Sequence, residues 1–237
     1  WSNYSIVIPE EATVQVLDQD IDDIRHYLGL LGPTGLTAFF GVTDVGKAKK
    51  GETFVVSAAG GATGSVAGQI ARIIGCKTIG IAGTQEKLDW IVSDLGFDHG
   101  INYKLENVED QLRKTCPEGI DVYFDNVAGP ILDAVLANIA VHGRVALSGM
   151  MENYNKDEPV PGPYQFDMLL MRRATITGFL SRDFFPRMEE SDTQIRKWID
   201  QGLIMLRFDE TDGIENAPTT YQHLFEGKNI GKSIIKV

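Results

Sequence analysis

The stretch Thr53 to Gly75 constrains this chain more than any other. Phe54, Val55 and Val56 form a short apolar run of strand-forming residues. A run without polar alternation predicts a strand buried on both faces. A turn of small residues, Ala58 to Gly64, follows. Val66, Ile70, Ile73 and Ile74 then recur at helical spacing, and Gly75 reads as the helix C-cap. The unit is strand, glycine turn, helix.

The first turn of a helix carries backbone N–H groups without intrahelical partners, and the helix dipole adds positive potential there. A pyrophosphate docks on those groups only where side chains stay clear. Gly60, Gly61, Ala62 and Gly64 clear that space, which makes Gly61, Ala62, Thr63 and Gly64 candidate phosphate contacts. Gly64 and Gly68 share a helix face and allow close approach to the sheet. The spacing Gly-x-Gly-x-x-Gly is met only as Ala59-x-Gly61-x-x-Gly64. Its position between strand and helix favours a dinucleotide site over an ordinary tight turn.

The chain has 237 residues, room for one large or two small domains. A hydrophobic content of 43% is that of a globular protein with a substantial core. The net charge of −11 disfavours nucleic acid or an anionic membrane as the main partner. No apolar run approaches the length of a bilayer span, and no signal peptide is visible, so a cytoplasmic protein is expected. Cys76 and Cys116 lie far apart, which fits a reducing compartment and gives no metal-ligand spacing.

Taken in order, Tyr4 to Ile8 predicts a strand, and residues 21 to 50 predict two helices interrupted at Gly32-Pro33-Thr34-Gly35, the second running from Leu36 to Val45. After the central unit come strands at Lys77–Ala82, His99–Tyr103, Asp121–Asp125, Arg144–Ser148 and Ala174–Gly178. Helices alternate with them at Gln85–Asp94, Val108–Thr115, Ile131–Ala140 and Phe166–Arg172, and Glu189–Gln201 follows. Six strands alternating with helices predict an α/β fold with a doubly wound parallel sheet. The last thirty residues differ: a strand near Met205–Phe208, a helix near Tyr221–Phe225 and a strand Lys232–Val237, which need a sheet outside the main unit.

In such a sheet the tip of the second strand lies beside the adenosine ribose. A carboxylate there bonds the 2′-hydroxyl of NAD; a 2′-phosphate needs small and cationic residues instead. Here the strand runs into Gly83-Thr84-Gln85-Glu86-Lys87, with no carboxylate at its tip. Gly83 and Thr84 leave room and a hydroxyl donor, and Lys87 lies one helical turn on, so NADP is favoured over NAD.

With these residues in hand the chain resembles the zinc-independent medium-chain dehydrogenase/reductases, specifically the NADP-dependent alkenal and prostaglandin reductases. The carriers include the Ala58–Ala71 glycine pattern, Gly80-Ile-Ala-Gly-Thr-Gln-Glu-Lys87, Ile101-Asn-Tyr-Lys104 and Tyr123-Phe-Asp-Asn-Val127. Further on come Gly143–Gly149, Asn153-Tyr-Asn155 and Gly227-Lys-Asn-Ile-Gly-Lys232. The resemblance implies a Rossmann domain over 31–203, with 1–30 as the end of a GroES-like β-rich substrate domain and 204–237 as the return to it. It also implies a further N-terminal segment, most of that substrate domain, ahead of Trp1. By the same resemblance Lys87 and Tyr103 hold the 2′-phosphate, and Asn126 and Asn229 contact the nicotinamide and pyrophosphate side. Ser148 and Gly149 join the cofactor set. Phe179 and Leu180 line the nicotinamide pocket. Tyr154 stands nearest the substrate carbonyl; without the resemblance it reads as a loop tyrosine on the surface.

The resemblance implies NADPH-dependent reduction of the C=C bond of α,β-unsaturated aldehydes and ketones, with no metal and a homodimeric assembly. Two other functions stay open: a quinone or carbonyl reductase on the same fold, and an NADP-binding protein without catalysis. Asp121 and Asp125 flank a strand and read as structural, and the four histidines have no nucleophile partner at a recognisable spacing.

Overall fold

The computed structural model describes residues 6–8, 17, 23–154, 158 and 161–237. A short 3-10 turn, Ile24–Leu28, leads into α1 (Pro33–Phe40), which a wider turn continues through Gly41–Val45. Then come β1 (Thr53–Val56), α2 (Ala62–Ile74), β2 (Lys77–Ala82), α3 (Gln85–Asp89, continued by Trp90–Asp94) and β3 (His99–Asn102). The second half adds α4 (Val108–Thr115), β4 (Ile120–Asp125), α5 (Gly129–Ala137), β5 (Ile139–Leu147), α6 (Asp167–Arg172) and β6 (Thr175–Gly178). The chain closes with α7 (Met188–Asp200), β7 (Phe208–Asp212), α8 (Ala217–Phe225) and β8 (Lys232–Lys236).

Strands β1 to β6 form one sheet in the order β3-β2-β1-β4-β5-β6, every pair parallel. The central strands are buried on both faces, as the unalternating apolar run of β1 required, while β6 at one edge is largely exposed. Phe54, Val56, Val122, Phe124 and Ala146 point into one core, beneath α1, α2 and α7. Val55, Ile79, Ile81, Tyr123 and Val145 point into the other, beneath α4 and α5. The strand order reverses between β1 and β4, and that reversal opens a crevice at the carboxyl ends of the strands. Among the described residues no helix is long and apolar enough to cross a membrane.

Several boundaries differ from the sequence expectation, each for a physical reason. Pro33 begins α1 rather than breaking it, because the first helical position needs no amide hydrogen. Strand β5 starts at Ile139, where it pairs with Ile120, and so cuts α5 short of Ala140. The strand expected near Met205 begins only at Phe208. The Met205 backbone is occupied instead: its N–H donates to Gln69 Oε1 at 2.9 Å and its carbonyl accepts from Gln69 Nε2 at 2.9 Å. Gln69 thereby ties α2 to the segment that leads into β7, and β7 pairs parallel with β8 in a separate two-stranded sheet. Of the strand expected at Tyr4–Ile8, Tyr4 and Ser5 lie outside the described residues, and Ile6–Ile8 form no regular element.

The crevice is shaped by one carboxylate. Asp125 is fully buried at the end of β4. Its Oδ1 accepts from the Tyr123 hydroxyl at 2.9 Å, the Ser57 hydroxyl at 3.2 Å, and the Val127 and Ala128 N–H groups, both at 2.9 Å. Its carbonyl accepts from Ser148 N–H at 2.8 Å and Gly149 N–H at 3.1 Å. The ends of β1, β4 and β5 are therefore fastened to one residue. Burial holds the Asp125 carboxyl above the usual carboxylate range, against the four donors that pull it down.

Two outcomes follow from this packing. A Cβ at Gly64 would lie 2.3 Å from the Ala58 carbonyl oxygen, which is backbone and has no room to yield. Gly64→Ala gains about 1 kcal/mol of helix propensity but loses about 1–3 kcal/mol to overpacking, so its melting temperature is expected to fall. A rise in thermal denaturation would contradict the close approach. For Asp125, truncation to Ala leaves four buried donors unmet and is expected to cost about 3 kcal/mol or more, whereas Asp125→Asn keeps the Oδ1 acceptor and costs less. Because the folded value is raised, this group's contribution is fully present below 3.8 and is lost as pH rises through the folded value. Denaturant titrations across that range should show the wild-type slope and a flatter one for Asp125→Asn; equal slopes would sink the assignment.

Candidate functional site

The glycine turn sits at the lip of the crevice. Ala58 adopts φ 49°, and its carbonyl accepts from Gly61 N–H at 2.9 Å, closing the turn. Gly61 is the N-cap of α2 and no side chain caps the helix, so the first-turn N–H groups of Ala62, Thr63 and Gly64 face the lip uncovered by side-chain acceptors. Helix α2 spans 13 residues and ends on Gly75 in the left-handed region, as its sequence indicates.

Lys87 lies beside that turn, nine-tenths buried at 8% exposure. Its stem packs against Gly60, where a Cβ would come within 2.8 Å of the lysine Cβ, Cγ and Cδ. Its ammonium donates to the Gly227 carbonyl at 2.6 Å. Burial, with Lys104 nearby, pulls its pKa below the ordinary lysine value. Thr84 caps α3, accepting from Lys87 N–H at 3.4 Å, and its own hydroxyl proton remains free to donate. The space that Gly83 leaves is taken by the Tyr103 ring, whose nearest atom would be 2.8 Å from a Cβ there. Gly60, Gly61, Gly83, Thr84, Lys87 and Tyr103 thus form one contiguous wall.

A second group lines the crevice at the switch point. Asn126 is 8% exposed; its amide donates to the Ser57 carbonyl at 2.8 Å, and its backbone N–H to the Ser57 hydroxyl at 2.9 Å. Ser148 donates to Asn126 Oδ1 at 3.3 Å. Gly149 follows, and a Cβ there would lie 3.4 Å from the Tyr154 hydroxyl. That hydroxyl accepts from Met150 N–H at 3.2 Å, with the tyrosine 62% exposed. Of the loop expected from Met150 to Gln165, residues 155–157, 159 and 160 lie outside the described residues.

The remaining expected residues sit apart from these walls. Phe179 packs edge-on against Phe124 at 6.2 Å and belongs partly to the core, while Leu180 is 51% exposed. Asn229 donates to the Gly231 carbonyl at 3.0 Å within its own loop, and that loop reaches the glycine turn through Gly231 N–H to the Gly60 carbonyl at 2.8 Å. Sequence reading did not anticipate the roles of Ser57, of Asp125 as the anchor of three strand ends, or of the Gly227 carbonyl. Position 57, one residue beyond an apolar strand, was the only local signal for Ser57.

Among the described residues no group of three or more His, Cys, Asp or Glu is placed to hold a metal ion. Cys76 donates to the Lys49 carbonyl at 3.2 Å, and burial pushes its thiol up to about 11. Cys116 is buried and its thiol is likewise raised. These are packing thiols, not metal-binding thiolates.

A family model described as zinc-binding dehydrogenase matches residues 62–196. The putative NADP-dependent oxidoreductase YfmJ of Bacillus subtilis (strain 168) is 40% identical over 240 residues, which cover all of this chain and 70% of that protein. The 2-alkenal reductase (NADP(+)-dependent) of Nicotiana tabacum is 39% identical over 238 residues, covering all of this chain and 69% of that protein. The crystal structure of CurA in complex with NADPH from Vibrio vulnificus matches with a TM-score of 0.88 at 38% identity, over 93% of this chain and 67% of that one. The crevice, the glycine turn and the similarity along the whole chain agree: this chain belongs to the zinc-binding dehydrogenase family, in the medium-chain dehydrogenase/reductase group that includes the NADP-dependent alkenal reductases.

Proposed function

We propose that this protein binds NADPH along the carboxyl ends of β2, β1 and β4 and reduces the C=C bond of α,β-unsaturated aldehydes and ketones. The observation that carries the reading is Lys87: a buried ammonium beside an uncapped helix start, with no carboxylate at the tip of β2. The residues present fit the cofactor. Gly61, Ala62, Thr63 and Gly64 would receive the pyrophosphate on backbone N–H groups. Lys87, Thr84 and Tyr103 would hold the 2′-phosphate. Asn126, Ser148, Gly149 and Asn229 would border the nicotinamide and pyrophosphate side, with Phe179 and Leu180 as the apolar wall. When bound, NADPH supplies the hydride. The described residues do not fit a zinc centre, and no step uses one.

The chain's own contribution is to position and to stabilise charge. Addition at the β-carbon of an enone develops negative charge on the carbonyl oxygen, and a donor aimed at that oxygen lowers the barrier. The Tyr154 hydroxyl accepts from Met150 N–H, so its proton is available to the substrate oxygen. Asn126 is held on both faces by Ser57 and Ser148, which fixes the floor beside it. The proton on the α-carbon comes from solvent and needs no strong acid.

The relatives' names support the substrate class, since the tobacco relative is a 2-alkenal reductase. The same reading assigns 31–203 to the Rossmann unit and 1–30 with 204–237 to a GroES-like substrate domain. The separation of the β7–β8 sheet from the main sheet supports that division. It also includes a homodimer. Strand β6 is one of the two edges of the sheet, and Phe166, Leu170 and Met171 beside it are exposed apolar side chains.

Three experiments test this. The full-length protein, incubated with NADPH and a medium-chain 2-alkenal, is expected to yield the saturated aldehyde by mass spectrometry; the allylic alcohol would mean carbonyl reduction and would overturn the reading. In the same assay Tyr154→Phe is expected to lower kcat about 10- to 100-fold with the Kd for NADPH unchanged, and an unchanged kcat would remove Tyr154 from the role. Sedimentation equilibrium should give twice the chain mass; a single-chain mass would rule out the dimer.

A further inference from the structure

We propose that the Gly227 carbonyl, on the loop before β8, positions the Lys87 ammonium and so sets the preference for a dinucleotide that carries a 2′-phosphate. The inference rests on the cofactor reading above and extends it to a group on the far side of the chain, 140 residues away.

An ammonium has three donors. For Lys87 one of them is taken by the Gly227 carbonyl at 2.6 Å; among the described residues no carboxylate forms an ion pair with it, and the charges of Asp209 and Glu86 favour the ammonium only from further off. A buried ammonium with one neutral hydrogen-bond acceptor, and carboxylates that act on it only at longer range, is under-compensated, since burying charge is favourable only with good partners. The chemistry of the acceptor matters. A carboxylate in that place would orient the lysine equally well, but it would cancel the charge and repel an incoming phosphate. A carbonyl orients the ammonium and leaves both its charge and two of its donors for an anion. Lys104, whose ammonium lies 5.9 Å from the Tyr103 ring centroid, adds positive potential on the same side.

The carbonyl is itself held in place. Gly227 N–H donates to the Leu224 carbonyl at 3.2 Å and Lys228 N–H to the His223 carbonyl at 3.0 Å, which fix the loop to the end of α8. At its other end Gly231 N–H donates to the Gly60 carbonyl at 2.8 Å, and Lys232 N–H to the Arg207 carbonyl at 2.8 Å. Gly60 is the same residue against which the Lys87 stem packs. The lysine is thus gripped along its stem by the glycine turn and at its tip by a loop anchored to that turn. Gly227 has φ 65°, a conformation that β-branched residues rarely adopt and that Asn tolerates. A Cβ there would meet only Lys87 Nζ, at 3.9 Å, so space does not forbid a side chain; the backbone conformation restricts which one is tolerated.

This separates two substitutions that differ in backbone freedom. Gly227→Asn keeps the left-handed conformation and the carbonyl in place. Gly227→Val drives the backbone out of it and turns the carbonyl away. The Kd values of NADPH and NADH, measured by titration calorimetry on the full-length protein, read the difference. The wild type is expected to prefer NADPH, and Gly227→Asn to keep that preference. Gly227→Val should lose about tenfold of the NADPH-to-NADH ratio, the scale of one hydrogen bond to a charged group, with NADH affinity nearly unchanged. Gly227→Pro, which fixes φ near −65°, repeats the test should the Val variant fold poorly. A wild type that binds NADPH with a variant ratio equal to its own would overturn the positioning role and leave the cofactor reading intact. An equal fall in both affinities would also overturn it, as a general loss of loop structure. A wild type without preference for NADPH would overturn both.

Discussion

One carboxylate oxygen carries the geometry of the crevice. Asp125 Oδ1 receives donors from β4 itself, from the residue that follows β1, and from the loop that opens α5. Its neighbouring carbonyl gathers the end of β5. Parallel strands deliver their loops to one end of the sheet, but nothing in strand pairing fixes those loops relative to each other. A buried acceptor with several donors does so, because each donor left without it would lose a hydrogen bond in a place without water. Ala128, held at φ 64°, shows the backbone yielding to that arrangement. The loops at the switch point are thereby held at fixed positions relative to one another.

Helix α2 has a similar double role at the other side of the turn. Its first turn presents N–H groups to the crevice. Its middle, through Gln69, and its last turn, through Arg72 to the Leu203 carbonyl at 3.0 Å, hold the segment that leads to β7. The return of the chain is then joined to the glycine turn a second time, where Gly231 meets Gly60 and Gly61. The second sheet is therefore not hung on the first by a linker. It is fastened at both ends of the helix on which the dinucleotide would rest.

Much of this was legible in the sequence where the cause is local. Lys77–Ala82 and Val108–Thr115 match residue for residue, since strand and helix there are set by an apolar run and by an Asn107 cap. Gly75 ends α2 as its lack of a side chain permits. The parallel order and the glycine turn follow from alternation and from one motif. Legibility fails where the cause is remote. Met205 looks like a strand residue, but Gln69, 136 positions earlier, occupies its backbone N–H and carbonyl. Ile139 joins β5 because of Ile120 across the sheet. Within the site, Lys87 stood out by its distance from the tip of β2, but its partner Gly227 lies at no recognisable spacing from it. Asp125 reads as structural from its place beside a strand, and it is; its reach into three loops is a property of the fold alone.

The two cysteines acquire a meaning from the chemistry proposed for the site. Enals and enones are electrophiles, and the side chain that adds to them most readily is a thiolate. Cys76 is buried with its proton held up to about 11, and Cys116 is buried and raised as well. A protein that handles such compounds throughout its life would be alkylated by them if it displayed an ionised sulfur. If the proposed chemistry holds, the burial that raises both thiols also shields Cys76 and Cys116 from alkylation by such compounds.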